Sequence, residues 1–341
     1  MNASVIKSLP KVDLHLHLDG SVKPNTLIEL AKQKGVILPA ETETELLPYM
    51  QVTKTGQLKD YLKTFDLVLP MMQTEEALER IAFEVVEQAS LDNCIYIEVR
   101  FGPILHTREG LRLEQVISAV IKGLQRGEST FGVKARVIAS CLRHHSVAEN
   151  IAVIHAASSF LHKGLVAVDL AGDEGNFPTH LHQEVFAVAN EKEIPVTIHA
   201  GEAAGPDSIY DAITQLGAVR IGHGVRARED KDIVDLLIDK KIPLEMCPIS
   251  NIQTKACDSW ESYPFKEYYD MGFTLTINTD NLTVSNTTLT KEFLTLIEYF
   301  QLSLDDVLSL LRNGIEAAFL PEVEKQKLRE RFESKLKNEQ T

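Results

Sequence analysis

Apolar runs that carry His, Glu or Asp at or near their C-terminal ends constrain this chain more than any other feature. In Val12-Asp13-Leu14-His15-Leu16-His17-Leu18-Asp19-Gly20, apolar and polar residues alternate. On an extended strand His15 and His17 then share one face, while Leu14, Leu16 and Leu18 take the other. Two imidazoles so placed suit a metal ion; a polar strand face with two solvated histidines is the other reading of the segment alone. Four later runs end comparably: Val196 to Glu202 (VTIHAGE), Val219 to Gly224 (VRIGHG), Leu244 to Pro248 (LEMCP) and Leu275 to Asn281 (LTINTDN). In a parallel barrel, the C-terminal ends of the strands gather catalytic groups from distant parts of the sequence.

Eight strands are predicted, centred on 12–17, 95–101, 134–140, 165–170, 195–199, 219–222, 242–247 and 273–278. Most are Val/Ile/Leu-rich without strict alternation, as buried parallel strands are. Helical patterns separate them, at 75–90, 114–125, 147–160, 182–191, 208–216 and 230–240. Strand then helix, eight times over, predicts an α/β fold, a (β/α)8 TIM barrel. No repeat or Pro/Gly-rich linker divides the chain, so 1–341 reads as one hydrolase barrel domain. The interval between the first two strands exceeds one crossover helix, and 21–92 is expected to be a helical insertion at the active-site end. Within it, Leu58 to Met72 has apolar residues at helical spacing before a proline stop. It reads as a packed surface helix, or as a lid whose Leu62 and Phe65 wall a planar ligand. Further helices are expected over 302–337.

Composition narrows the partners. With 49 Asp and Glu against 35 Lys and Arg, the formal net charge is −14, which repels a phosphate backbone and makes nucleic acid an unsuitable ligand. Cys94, Cys141, Cys247 and Cys257 are spread widely and form no CxxC pair, so neither a disulfide framework nor a thiolate zinc site is indicated. Met1 to Pro10 lacks a secretory pattern, and no run of about 18 apolar residues suggests a membrane span. These features predict a cytoplasmic protein without membrane contact, and none of them specifies an oligomeric state.

The strand-end residues assemble into a chemistry. Zinc takes nitrogen and oxygen ligands from His and Asp and keeps an open position in catalytic sites. His15, His17, His199 and Asp280 can supply such a set. Glu202, three residues beyond His199 across an Ala-Gly turn, can lean over the site as a proton donor or acceptor without binding the metal. His223, between two glycines, can approach the attacking water. The chain has no HExxH helix, no HxE with PCxxC and no GxxxxGK[ST] loop, which excludes zincin proteases, the small zinc deaminases and P-loop NTPases.

These motifs resemble the adenosine deaminase family of the amidohydrolase superfamily over nearly the whole chain. The matching residues are His-Leu-His-Leu-Asp-Gly at 15–20, Asp-Leu-Ala-Gly-Asp-Glu at 169–174, His-Ala-Gly-Glu at 199–202, Gly-His-Gly at 222–224 and Asn-Thr-Asp-Asn at 278–281. The resemblance implies one zinc ion per chain on His15, His17, His199 and Asp280. It also implies that Glu202 addresses purine N1, His223 assists the water, the Gly172 backbone reaches N3, and His17 and Asp19 meet the nucleoside, Asp19 at a ribose hydroxyl. The implied reaction is hydrolysis of adenosine, and of 2′-deoxyadenosine, to inosine and ammonia in purine salvage, with a small purine nucleoside as partner. Adenine or a modified adenosine is the alternative substrate, and an inactive purine-binding protein the alternative of another class.

Two positions bear on specificity. Animal members of this family carry two adjacent aspartates where this chain has Asp280-Asn281; purine N7 only accepts hydrogen bonds, so an Asn281 amide can donate to it directly. Similar adenine deaminases tend to have Glu, and enzymes acting on N6-methylated AMP tend to have Asn, where this chain has Asp19. The resemblance therefore favours an unphosphorylated nucleoside, although a cap or turn role before Gly20 would also account for Asp19. Asp169 and Asp173 are candidates to orient the histidines, or for salt bridges. Ser250 and Asn251 are candidates to support His223. His106, His144, His145, His155, His162, His180 and His182 read as surface or structural.

Overall fold

The computed structural model describes residues 2–52 and 58–339. Eight parallel strands follow one another around a barrel: β1 (Lys11–His17), β2 (Cys94–Phe101), β3 (Lys134–Leu142), β4 (Leu165–Ala171), β5 (Thr197–Ala200), β6 (Arg220–His223), β7 (Leu244–Met246) and β8 (Leu275–Ile277). Each pairs with its successor within β1–β4 and within β5–β8. Two seams close the ring. Val168 bridges to Val196, its N–H donating to Pro195 O at 2.9 Å. Leu16 bridges to Asp280: the Asp280 N–H donates to His15 O at 2.8 Å, and the His17 N–H donates to Asp280 O at 2.6 Å. The (β/α)8 expectation is met, with all eight strands near their expected places.

Capping explains several helix boundaries. Thr74 accepts from the Ala77 N–H at the start of the Glu75–Leu91 helix, and Ser146 with Glu149 forms a reciprocal capping box before Val147–Ser158. The helices Leu304–Ala317 and Glu322–Glu339 complete the shell, as expected for 302–337.

The interval between β1 and β2 departs from one expectation. It holds the helices Pro24–Lys34 and Glu43–Met50, and residues 53–57 of the 21–92 insertion lie outside the described residues. Leu58 to Met72 is not one helix. A single α-turn at Leu58–Leu62 gives way to 3-10 turns at Lys63–Leu67 and Leu69–Met71. Pro70 donates no N–H, so an α-helix could not continue through it with its hydrogen bonds intact. Tyr61 also anchors the segment sideways, its hydroxyl 2.6 Å from Ser285 Oγ in the loop after β8.

The β8–β1 seam has few backbone pairs, and a side chain supplements it. Asn278 Oδ1 accepts from the Leu14 N–H at 2.9 Å, and its amide donates to Thr276 Oγ1 at 3.0 Å. Asn278→Ala would strand a buried donor and is expected to cost roughly 1–3 kcal/mol, read as a lower midpoint of unfolding. An unchanged midpoint would mean that the backbone bridge alone closes the barrel.

Candidate active site

The C-terminal ends of the strands open into one cleft lined by His17, Asp19, Gly172, His199, Glu202, His223, Asp280 and Asn281, with Leu62, Phe65 and Leu69 across from them. Five strand ends and the insertion thus meet where the sequence predicted. His223 (φ 65°) and Asp280 (φ 60°) sit in left-handed backbone, which strains a residue with a Cβ and aims both side chains into the barrel mouth. Gly222 makes room for this crowding: a Cβ there would lie 3.0 Å from His15 Cε1 and 3.3 Å from His199 Cα.

His15, His17 and His199 bring ring nitrogens within 4.8 Å of one another, all buried. The His17 and His199 Nε2 atoms are 3.2 Å apart, and Asp280 Oδ1 lies 3.4 Å from His17 Nε2 and 3.6 Å from His15 Nε2. His15 Nε2 is buried with no hydrogen-bond partner. Those separations approach the ~3.3 Å edge of a tetrahedron with about 2.0–2.1 Å legs, the zinc–nitrogen distance. The other ring nitrogens are occupied: His15 Nδ1 meets Glu245 Oε2 at 2.9 Å, and His199 Nδ1 meets Asp169 Oδ1 at 3.0 Å. Both Nε2 atoms are therefore left facing the cluster, which fits a cation among them. His223, Cys247 and Asp280 form another group of close ligand atoms. Its thiol donates to Glu245 O, and burial pushes the Cys247 pKa well above its usual value, so it is a poorer ligand set.

Glu202 stands beside the cluster without belonging to it. Burial, with the neighbouring Glu174 charge, raises its pKa to about 7, against the pull of His199. Thr254 Oγ1 donates to its Oε1 at 3.0 Å, which leaves Oε2 free, 3.6 Å from His223 Nε2. His223 Nδ1 accepts from the Asn251 amide at 2.8 Å, and Asn251 Oδ1 is taken by the Tyr263 hydroxyl at 2.9 Å. That chain assigns the His223 proton to Nε2. Burial lowers its pKa to about 4, so it is a neutral donor toward the cleft.

Two expectations need correction, those for Asp173 and Ser250. Asp169 orients His199, but Asp173 bonds to Asn176 instead, at 2.7 Å. Asn251 supports His223, whereas Ser250 donates to Asp280 Oδ2 at 2.5 Å. His144, read as surface or structural, lies exposed on the cleft rim. Asp19 opens the turn Asp19–Ser21, yet its Oδ1 is buried without a partner, as is Asn281 Oδ1.

Sequence reasoning assigned no role to Glu245, Arg100 or Arg220, although charged residues inside apolar strands are a signal in themselves. Glu245 receives Arg100 Nη2 at 2.7 Å, Arg220 Nε at 2.7 Å and Thr197 Oγ1 at 2.9 Å, all fully or nearly fully buried. Arg220 also reaches Glu98 at 2.6 Å.

A family model described as adenosine deaminase matches residues 10–335. The adenosine deaminase of Enterococcus faecalis is 42% identical over 333 residues, covering 98% of each chain. That of Shewanella woodyi is 45% identical over 325 residues, covering 94% of this chain and 98% of the relative. Among solved structures, an adenine deaminase from Arthrobacter aurescens superposes with TM-score 0.89 at 27% identity, covering 96% of this chain and 99% of the other. An Arabidopsis N6-mAMP deaminase gives 0.86 at 29%, covering 97% and 99%.

Because Asp169 holds the His199 ring, Asp169→Asn is expected to weaken metal retention against a chelator by about 10- to 100-fold. Equal retention by the variant and the parent would deny the histidine cluster a metal-holding role.

Proposed function

The chain belongs to the adenosine deaminase family and is a metal-dependent hydrolase that deaminates adenosine, and we propose that it does so with one zinc ion on His15, His17, His199 and Asp280, with Glu202 as the acid. The carrying observation is the buried Glu202 carboxyl, held by Thr254 through one oxygen and turned to the cleft beside that cluster but outside it, where burial raises its pKa to about 7. When bound, the ion supplies a Lewis acid that makes water nucleophilic near neutral pH.

The side chains divide the remaining work. Thr254 occupies Glu202 Oε1, so the proton belongs on Oε2, from which Glu202 donates to purine N1 and makes C6 electrophilic. The neutral His223 donates through Nε2 and, with Asp280, orients the water toward C6. It acts as a donor and not as a base, since Asn251 holds its other nitrogen. One proton of the water passes to the departing amine, which leaves as ammonia, the other restores Glu202, and inosine remains. The Asn281 amide donates to N7 and the Gly172 N–H to N3. Asp19, which lines the cleft, accepts from a ribose hydroxyl, and His17 borders the same sugar.

Leu62 and Phe65 wall the ring as part of a lid contributed by 21–92, and 1–341 acts as one catalytic unit. The substrate is a free nucleoside, 2′-deoxyadenosine included, because a nucleotide phosphate would meet the Asp19 carboxylate. The setting is cytoplasmic purine salvage, with neither nucleic acid nor membrane as partner. Four free, buried cysteines suit a reducing compartment, and among the described residues no helix is long and apolar enough to cross a membrane.

Glu202→Gln is expected to lower kcat/KM for adenosine by about 10²- to 10⁴-fold with metal content unchanged; near-normal turnover would remove Glu202 from the acid role. In the parent, activity should fall as pH rises through about 7, where Glu202 loses its proton. Asp19→Ala should cost adenosine about 10- to 100-fold in kcat/KM, the loss of a hydrogen bond to a charged group. Adenine and AMP, assayed alongside, should stay poor substrates in the parent; a preference for either would overturn the nucleoside assignment.

A further inference from the structure

Glu174 lies in the loop after β4 and is buried, facing the turn that leads out of β5. Its Oε1 accepts from the Gly201 N–H at 2.7 Å and from Ser208 Oγ at 2.5 Å. Its Oε2 accepts from the N–H groups of Glu202, Ala203 and Ala204 at 3.0, 2.7 and 2.9 Å. Four consecutive amides thus converge on one carboxylate, a concave backbone anion site filled from within the chain. The turn starts at Gly201, whose φ of +71° allows it; a Cβ there would lie 2.5 Å from Ile209 Cδ1. Ser208 Oγ also lies 2.7 Å from Thr179 Oγ1, and Arg143 binds both Thr179 Oγ1 at 3.0 Å and His199 O at 2.7 Å. The grip on the turn therefore continues to the backbone of His199.

We propose that Glu174 is a positioning residue for the acid step, its carboxylate shaping the Gly201–Ala204 turn so that Glu202 points across the cleft at the purine. This inference rests on the reading of Glu202 as the acid. All five donors around Glu174 require acceptors, so an uncharged amide in its place would set an NH2 group against N–H groups. Its charge has a second consequence. Glu202 is faced by His199 from β5, Arg143 from the end of β3, His223 from β6, Asp280 from the end of β8 and Thr254 from the segment after β7. Among these, His199 and Arg143 favour its ionised form, while Glu174 opposes a second negative charge.

The test compares metal-loaded Glu174→Gln and Glu174→Asp with the parent, measuring metal per chain, thermal midpoint, and kcat and KM for adenosine against pH. For Glu174→Gln we expect kcat lower by about 10- to 100-fold, as for an ångström-scale misplacement of a catalytic group, with KM within about threefold. The alkaline fall of kcat/KM should move to lower pH by at least ~0.5 unit, because a charge opposing Glu202 ionisation is gone. Glu174→Asp keeps the charge but shortens the reach, so its alkaline fall should stay in place while kcat drops. Parental kcat in Glu174→Gln, or a lower kcat with an unmoved pH profile at full metal content, overturns the proposal. If Glu174→Gln does not fold, Glu174→Asp decides: parental kcat there overturns it. Full activity in Glu202→Gln would instead overturn the acid assignment itself, a separate failure.

Discussion

Glu245 is the residue on which the rest of this structure depends. It sits inside the barrel, where packed branched side chains are the rule, and its two oxygens serve Arg100, Arg220, Thr197 and His15. Removing such charges from water costs several kcal/mol per ion, which mutual attraction offsets only when geometry and hydrogen bonds are complete. Here most are made, with Arg100 Nε and Nη1 left without hydrogen bonds: Arg220 continues to Glu98, and Glu98 in turn accepts from the Tyr96 hydroxyl at 2.8 Å and the Phe319 N–H at 2.6 Å. The network spans the barrel from its floor to His15, so the ring that faces the cleft is oriented by contacts on four strands. An apolar core would pack as well and leave the His15 tautomer undetermined.

Above that floor, environment sorts chemically similar groups into different states. Burial alone would neutralise every carboxylate in the site. Asp169 escapes, held well below the usual range against the desolvation cost by His199 and Arg100. Glu202, with another carboxylate at its backbone and one hydroxyl at its side chain, goes the other way. His223 is pushed toward neutrality while His199, against Asp169, is raised. Paired titratable groups whose environments drive them apart are how a single cleft holds charged and neutral groups side by side at one pH.

The fold was legible because parallel strands buried on both faces need continuous Val, Ile and Leu, and the helices between them carry caps within a few residues. His15 and His17 were legible because strand alternation is local. What escaped notice depends on partners far apart in sequence. Glu245 meets His15 across 230 residues, and Glu174 meets Glu202 across 28; no periodicity records either pairing. Ser250 and Asn251 are adjacent in sequence, yet on the turn of helix after β7 they serve Asp280 and His223 respectively. The broken segment at 58–71 follows the same logic: its apolar spacing is helical, but Pro70 and the Tyr61 contact to Ser285 overrule propensity.

The specificity of the cleft follows from where its unsatisfied atoms lie. Asp19 Oδ1 and Asn281 Oδ1 are buried polar atoms without partners, on segments that adjoin across the β8–β1 seam. A buried acceptor left unpaired costs about 1–3 kcal/mol, so each lowers the stability of the empty site. Burial also lifts the Asp19 pKa to about 7, which favours its neutral form in the empty site. On the nucleoside reading proposed above, a sugar hydroxyl offers the Asp19 carboxyl a donor that a free base lacks. On that reading, discrimination comes from the cost of leaving the site's own polar atoms unmet, a stronger filter than shape when the competing ligands share the same adenine ring.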